Sequence, residues 1–90
     1  MIKGKTKSGF EFEIPEKAFN DYELLEMMGD FNEDKSIFPK IARRMLGVEQ
    51  HNRLKEHLRD EDGYVPADKI EVELTEIFTF APGAPNALKN

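Results

Sequence analysis

Near the amino terminus, residues 2–6 and 10–14 alternate in polarity, and the polar, glycine-containing stretch Lys7-Ser8-Gly9 separates them. Period-two alternation around such a loop predicts a β-hairpin with Phe10, Phe12 and Ile14 on its buried face. Two strands alone are only marginally stable in water. The hairpin must therefore lie against helices or pair with strands of another chain.

From Pro15 onward the spacing becomes helical. Pro15 suits the first turn of a short helical segment reaching Phe19, and Asn20 or Asp21 can accept the free amides of the next helix. There Tyr22, Leu24, Leu25, Met27, Met28 and Phe31 form a wide apolar stripe, while Glu23, Glu26 and Asp30 point outward. Gly29 and the polar run Asn32 to Lys35 end it. Ser36 is the expected N-cap of a second helix, with Pro39 in its first turn, where a missing amide hydrogen leaves no bond unmade. Ile37, Phe38, Ile41, Ala42, Met45 and Leu46 share one face, Lys40, Arg43 and Arg44 the other, and Gly47 is placed to stop the helix in a left-handed conformation. A third helix, Val48 to Leu58, has a thin apolar seam of Val48, Leu54 and Leu58 and is expected at the rim. Asp60-Glu61-Asp62-Gly63 is a turn, and Val65-Pro66 introduces a fourth helix with Ile70, Leu74, Ile77 and Phe78 on one face. From Thr79 the periodicity fails among Pro82, Gly83, Pro85 and Asn86. The expected fold class is α+β: a single compact domain over residues 1–78, an N-terminal β-hairpin followed by about four short helices, and a flexible C-terminal tail over 79–90.

Ninety residues with 39% hydrophobic content support one core, to which seven Phe residues contribute. The absence of cysteine excludes disulfides and thiolate chemistry and makes a reducing cytoplasm the natural setting. The amino terminus lacks the apolar run of a signal peptide, and no stretch approaches the roughly 18 apolar residues that cross a bilayer, so a soluble protein without a membrane partner is expected. A net charge of -5 repels phosphate backbones and argues against nucleic acid as a partner. Charge is segregated: residues 11–34 hold nine acids and only Lys17, residues 40–59 hold six bases and two acids, and residues 60–76 hold seven acids and Lys69. Such blocks are either solvated faces or complementary surfaces, between copies of the protein or with a partner.

Candidate chemistry is sparse. Asp60-Glu61-Asp62-Gly63 resembles the middle of a calcium-binding loop, but aligning Gly63 with its invariant glycine puts Leu58 first and Lys69 last, where carboxylates are required. His51 and His57 are six apart, about 120° around a helix, unlike the i, i+4 pair that shares one ligand sphere. Ser8 belongs to the hairpin turn and Ser36 to a helix cap, and neither has a His beside it in sequence. No catalytic residue, metal or cofactor is expected.

The succession Ser8-Gly-Phe-Glu-Phe-Glu-Ile14, Asp21-Tyr-Glu-Leu-Leu-Glu26, Leu46-Gly47, Leu54-Lys-Glu-His-Leu-Arg-Asp-Glu-Asp-Gly-Tyr-Val-Pro66 and Leu74-Thr-Glu-Ile-Phe78 resembles the tail assembly chaperones of long-tailed (siphovirus-type) phages and prophages of Gram-positive bacteria. The resemblance covers residues 5–78; the Pro- and Gly-rich ending departs from it. It implies a protein of the host bacterial cytoplasm, absent from the finished virion, that binds the tape measure protein, keeps it soluble and helps recruit tail tube protein. A homo-oligomer is expected. In such phages a ribosomal frameshift often appends a second domain, and the polar segment from Thr79 suits a junction of that kind. The family has no fixed catalytic residues to transfer. The expected contact residues are Phe10 and Phe12 of the hairpin, Tyr22, Met27 and Met28 of the first helix, and Arg43, Arg44 and Arg53 of the basic stretch. Two alternatives remain: an acidic mimic of nucleic acid that inhibits a DNA-binding enzyme, and a small structural subunit of a host complex.

Overall fold

The computed structural model describes residues 1–81. It opens with an antiparallel hairpin of β1 (Ile2–Lys5) and β2 (Glu11–Ile14), in the register Ile2 to Ile14, Lys3 to Glu13, Gly4 to Phe12 and Lys5 to Glu11. The turn closes through the Thr6 amide on the Phe10 carbonyl and the Gly9 amide on the Thr6 carbonyl, both 2.9 Å. A 3-10 turn, Glu16–Asn20, leads to α1 (Tyr22–Asp30), and α2 (Phe38–Leu58) and α3 (Ala67–Phe78) follow. The α+β class and the hairpin at the head of the chain agree with the sequence reading.

The core lies between one face of the hairpin and the three helices. Phe10, Phe12 and Ile14 meet Leu24 of α1, Ile41, Ala42, Met45, Leu46 and Leu54 of α2, and Ile70, Leu74 and Ile77 of α3. Gly4 faces the same side, and a methyl group there would stand 2.7 Å from the rings of both Phe12 and Phe80. The third residue of β1 must therefore lack a side chain for Phe12 and Phe80 to close over it.

Local details differ from expectation for identifiable reasons. Asp21 does cap α1, accepting from the Glu23 amide at 3.1 Å. Ser36 does not cap α2: the Asp34 carboxylate takes the Ser36 amide at 3.0 Å and closes a short 3-10 turn over Lys35–Ile37, so the helix starts at Phe38 with Pro39 in its first turn. Gly47 interrupts the helical backbone as expected, at φ 81 and ψ 162, a region open only to glycine, and helix resumes at once, so that α2 consists of two helical halves meeting at a kink.

That kink resets which face looks inward. After it, His51, Leu54 and Leu58 follow one another at i, i+3 and i+7 toward the core, and Val48 falls outside. Leu54 is 0% exposed and Val48 62% exposed, so the expected rim helix supplies one of the most deeply buried side chains and its expected first anchor is a surface residue. On α1 the wide stripe divides. A nine-residue helix presses one face on its neighbours: Leu24, Met27 and Phe31 turn inward, whereas Tyr22, Leu25 and Met28 stay outside.

Beyond α3 the chain continues in turns through Ala81. The Phe80 amide bonds the Ile77 carbonyl at 3.0 Å, the Phe80 ring stands edge-on to Phe12 at 5.0 Å, and Ala81 is buried. The segment expected as a tail thus begins by packing on the hairpin, while residues 82–90 of it lie outside the described residues.

Leu54→Ala should cost about 2–5 kcal/mol by leaving a cavity at the centre of the core, and Val48→Ala less than about 0.5 kcal/mol. Urea denaturation of the two variants beside the parent checks the pair, and equal losses would contradict the described placement of the second half of α2.

Candidate functional site

The hairpin turn is clamped to the helices by a hydrogen-bonded chain. Glu73 of α3 is only 4% exposed and accepts from the Thr6 hydroxyl at 2.8 Å. The Thr6 oxygen in turn accepts from the Phe10 amide at 3.2 Å and lies 3.1 Å from the Ser8 hydroxyl. Glu76 takes the Lys7 amide at 2.7 Å. The exposed His57 of α2 reaches the same turn: its Nε2 is 3.1 Å from the Ser8 hydroxyl and 3.1 Å from the Ser8 carbonyl oxygen.

A serine and a histidine far apart in sequence therefore meet, which sequence spacing could not show, and the direction of the protons decides what the pair does. A carboxylate and a carbonyl only accept. Thr6 therefore spends its one proton on Glu73, its remaining acceptor site takes the Ser8 proton, and His57 Nε2, facing a carbonyl, carries a hydrogen. His57 is a donor to Ser8, not a base withdrawing its proton. The chain fixes the turn.

The outer edge of β2 is closed by α2. Gln50 accepts from the Glu13 amide at 2.7 Å and donates to the Glu13 carbonyl at 2.8 Å, and Arg53 donates to the Glu11 carbonyl at 3.3 Å. The Arg53 guanidinium also lies 5.2 Å from the centre of the Phe10 ring. These bonds make an aligned strand edge unavailable to a partner on that side.

The eight expected contact residues consequently separate. Phe10 and Phe12 are core and cannot reach a partner, because the hairpin's only apolar face is the one it packs with. Met27 packs against the core. Arg53 is committed to Glu11 and Phe10. Arg44 is committed to the start of α1, bonding Asp21 through Nε at 2.6 Å and Glu23 at 2.8 Å. The hydrogen bond from Arg44 holds the Asp21 carboxyl below its ordinary pKa and raises that of Arg44. Arg43 is exposed, with no hydrogen bond or ion pair among the described residues. Tyr22 and Met28 remain as surface apolar groups.

They are not alone. Leu25, part of the wide apolar stripe but not among the expected contact residues, stands on the same outer face of α1: Tyr22 is 71%, Leu25 63% and Met28 36% exposed. At Met28 this strip runs into a groove of about 150 Å³ whose floor includes Phe31 and Phe38, with Leu74, Phe78 and Glu71 of α3 on the far side. A larger, open depression of about 710 Å³ lies beside Phe10, Glu49, Arg53, Glu56 and His57. Its Arg53 and His57 already hold the hairpin, so the α1 strip with its groove is the better candidate for binding. A helix this short could have suggested that only one of its two apolar faces is buried.

The buried polar groups have measurable consequences. Thr6→Val leaves the Phe10 amide and the Glu73 carboxylate without their partner and should cost about 2–3 kcal/mol in chemical denaturation, where Glu73→Gln, which keeps an acceptor oxygen, should cost less. Burial, then Lys55 and Arg43, push the His51 imidazole below its ordinary pKa. The unfolded chain then binds the proton more readily, so stability contributed by neutral His51 is present above the unfolded pKa of about 6.5 and declines as pH falls through it. Melting temperatures at pH 7.5 and 5.5 should differ less in His51→Gln than in the parent; an equal difference would exclude His51 as the source.

Comparison of the chain with family models, curated proteins and solved structures finds no match.

Proposed function

We propose that this chain is a tail assembly chaperone of a siphovirus-type phage or prophage of Gram-positive bacteria, acting in the host cytoplasm. It binds the tape measure protein in several copies, keeps that long client soluble and helps recruit tail tube protein. The reading rests on the sequence resemblance over residues 5–78, and the observation that carries it is the uncovered strip Tyr22, Leu25 and Met28 leading into the groove of Phe31, Phe38 and Phe78. Apolar side chains at helical spacing beside an apolar groove suit an amphipathic helix laid along them. A tape measure protein is a long helical client with many such stretches.

The nucleic-acid mimic is less well supported. It needs acids free on one face, whereas Asp21 and Glu23 are neutralised by Arg44, Asp34 and Asp60 close turns, and Glu73 and Glu76 bond the hairpin.

Co-expression with the tape measure protein of the same genome tests the proposal. The client should appear in the soluble fraction and co-purify with an excess of this protein. The double variant Tyr22→Ser, Leu25→Ser should lower the soluble client several-fold while changing stability by less than about 1 kcal/mol, since both side chains are largely in water. A strictly monomeric protein that leaves the client insoluble would falsify the proposal.

A further inference from the structure

Gly29 lies inside α1 with a negative φ, so it is not used for a left-handed cap or a turn. A methyl group there would meet nothing within 4 Å. Glycine in a helix is disfavoured relative to alanine, because it loses more backbone freedom on ordering. Nothing within the described residues needs this glycine. Its position gives it a use: Tyr22, Leu25 and Gly29 follow one another at i, i+3 and i+7 and lie on one outer face of the helix. A missing side chain at the end of an exposed apolar strip lets a second backbone come close.

Acids outnumber bases at the borders of the strip, where a nearby cation, the Lys35 ammonium, is engaged 4.1 Å over the Phe31 ring. Glu26 and Asp30 flank it on the side away from the groove, both exposed and without an ion pair among the described residues, and Glu71 of α3 stands across the groove. A second copy is a poor occupant, since antiparallel pairing of two α1 helices sets Glu26 and Asp30 against their own equivalents.

We infer that α1 docks an amphipathic helix of another protein, crossing closely at Gly29, with small and aliphatic residues on its apolar face and Lys or Arg on both borders. This deepens the proposed function and rests on its reading of α1 as the client surface.

The test uses the full chain and a labelled synthetic helix of about three heptads, with Leu and Ala on one face and Lys on both borders, beside a counterpart carrying Glu instead. Anisotropy should show binding of the Lys peptide in preference to the Glu peptide. Gly29→Leu, which has open space to fold into, should weaken that binding at least about tenfold by steric block. Gly29→Ala should raise the melting temperature by about 3–8 °C while also lowering affinity, and it serves should the Leu variant not fold. Binding of neither peptide, of both alike, or equally well by the Gly29 variants overturns the inference. So does self-association of the parent that Gly29→Leu abolishes, which would assign the face to a second copy. If the parent solubilises the tape measure protein and Gly29→Leu does so equally, the close crossing is wrong and the chaperone reading stands; if the parent fails, that reading falls first.

Discussion

A hairpin of two four-residue strands cannot hold itself together in water, and the arrangement of the molecule follows from how this one is held. Its apolar face supplies Phe10, Phe12 and Ile14 to the core, but burial alone would leave the turn and the edge of β2 with unpaired polar groups. Side chains of α2 and α3 satisfy them: Glu73 through Thr6, Glu76 on Lys7, His57 on Ser8, Gln50 and Arg53 along β2. The positions of α2 and α3 are therefore tied to the hairpin by directional bonds as well as by packing. A shift of either helix by one residue would lose several of these bonds together.

α1 stands outside this arrangement. It touches the core through Leu24, with Met27 and Phe31 beside it, and its start is fixed by Arg44 rather than by the hairpin. That leaves a full face of the helix with no partner among the described residues, and three large apolar side chains stand on it. Were these residues only tolerated, Leu25 and Tyr22 would serve the fold no better than charged residues, which would favour solubility. The proposed role of this face as a client surface would account for their presence.

The element types and the buried side of the hairpin were legible because period-two and helical spacing are local properties. So were the Asp21 cap and the turn before α3. What escaped was decided at longer range or by one backbone angle. Gly47 was recognisable as a breaker, and its φ of 81 with ψ of 162 does interrupt the helix there; what escaped was the direction of the next turn, which leaves Val48 outside and carries Leu54, expected at the rim, to the centre of the core. The Thr6–Glu73 bond joins residues 67 positions apart, and no spacing rule reports it. The candidate site was half legible: of the expected contact residues Tyr22 and Met28 stand on the surface, while Phe10, Phe12 and Arg53, equally attractive by residue type, are consumed by the hairpin.

The charge segregation seen along the chain resolves in the same way, into charges that serve the fold and charges that remain. In the basic block, Arg44 and Arg53 are used internally, and Arg59 pairs with Glu56. In the acidic blocks, the acids nearest helix starts and turns are used as caps and bridges. Glu26, Asp30 and Glu71 are left beside the apolar strip, and this remainder has a physical effect. An exposed apolar face on a small protein invites indiscriminate association, and a border of like charges repels identical faces while leaving oppositely charged helices free to approach. On the proposed reading, the acids would make a sticky surface selective, as a protein needs if it is to hold a long client without first aggregating with itself.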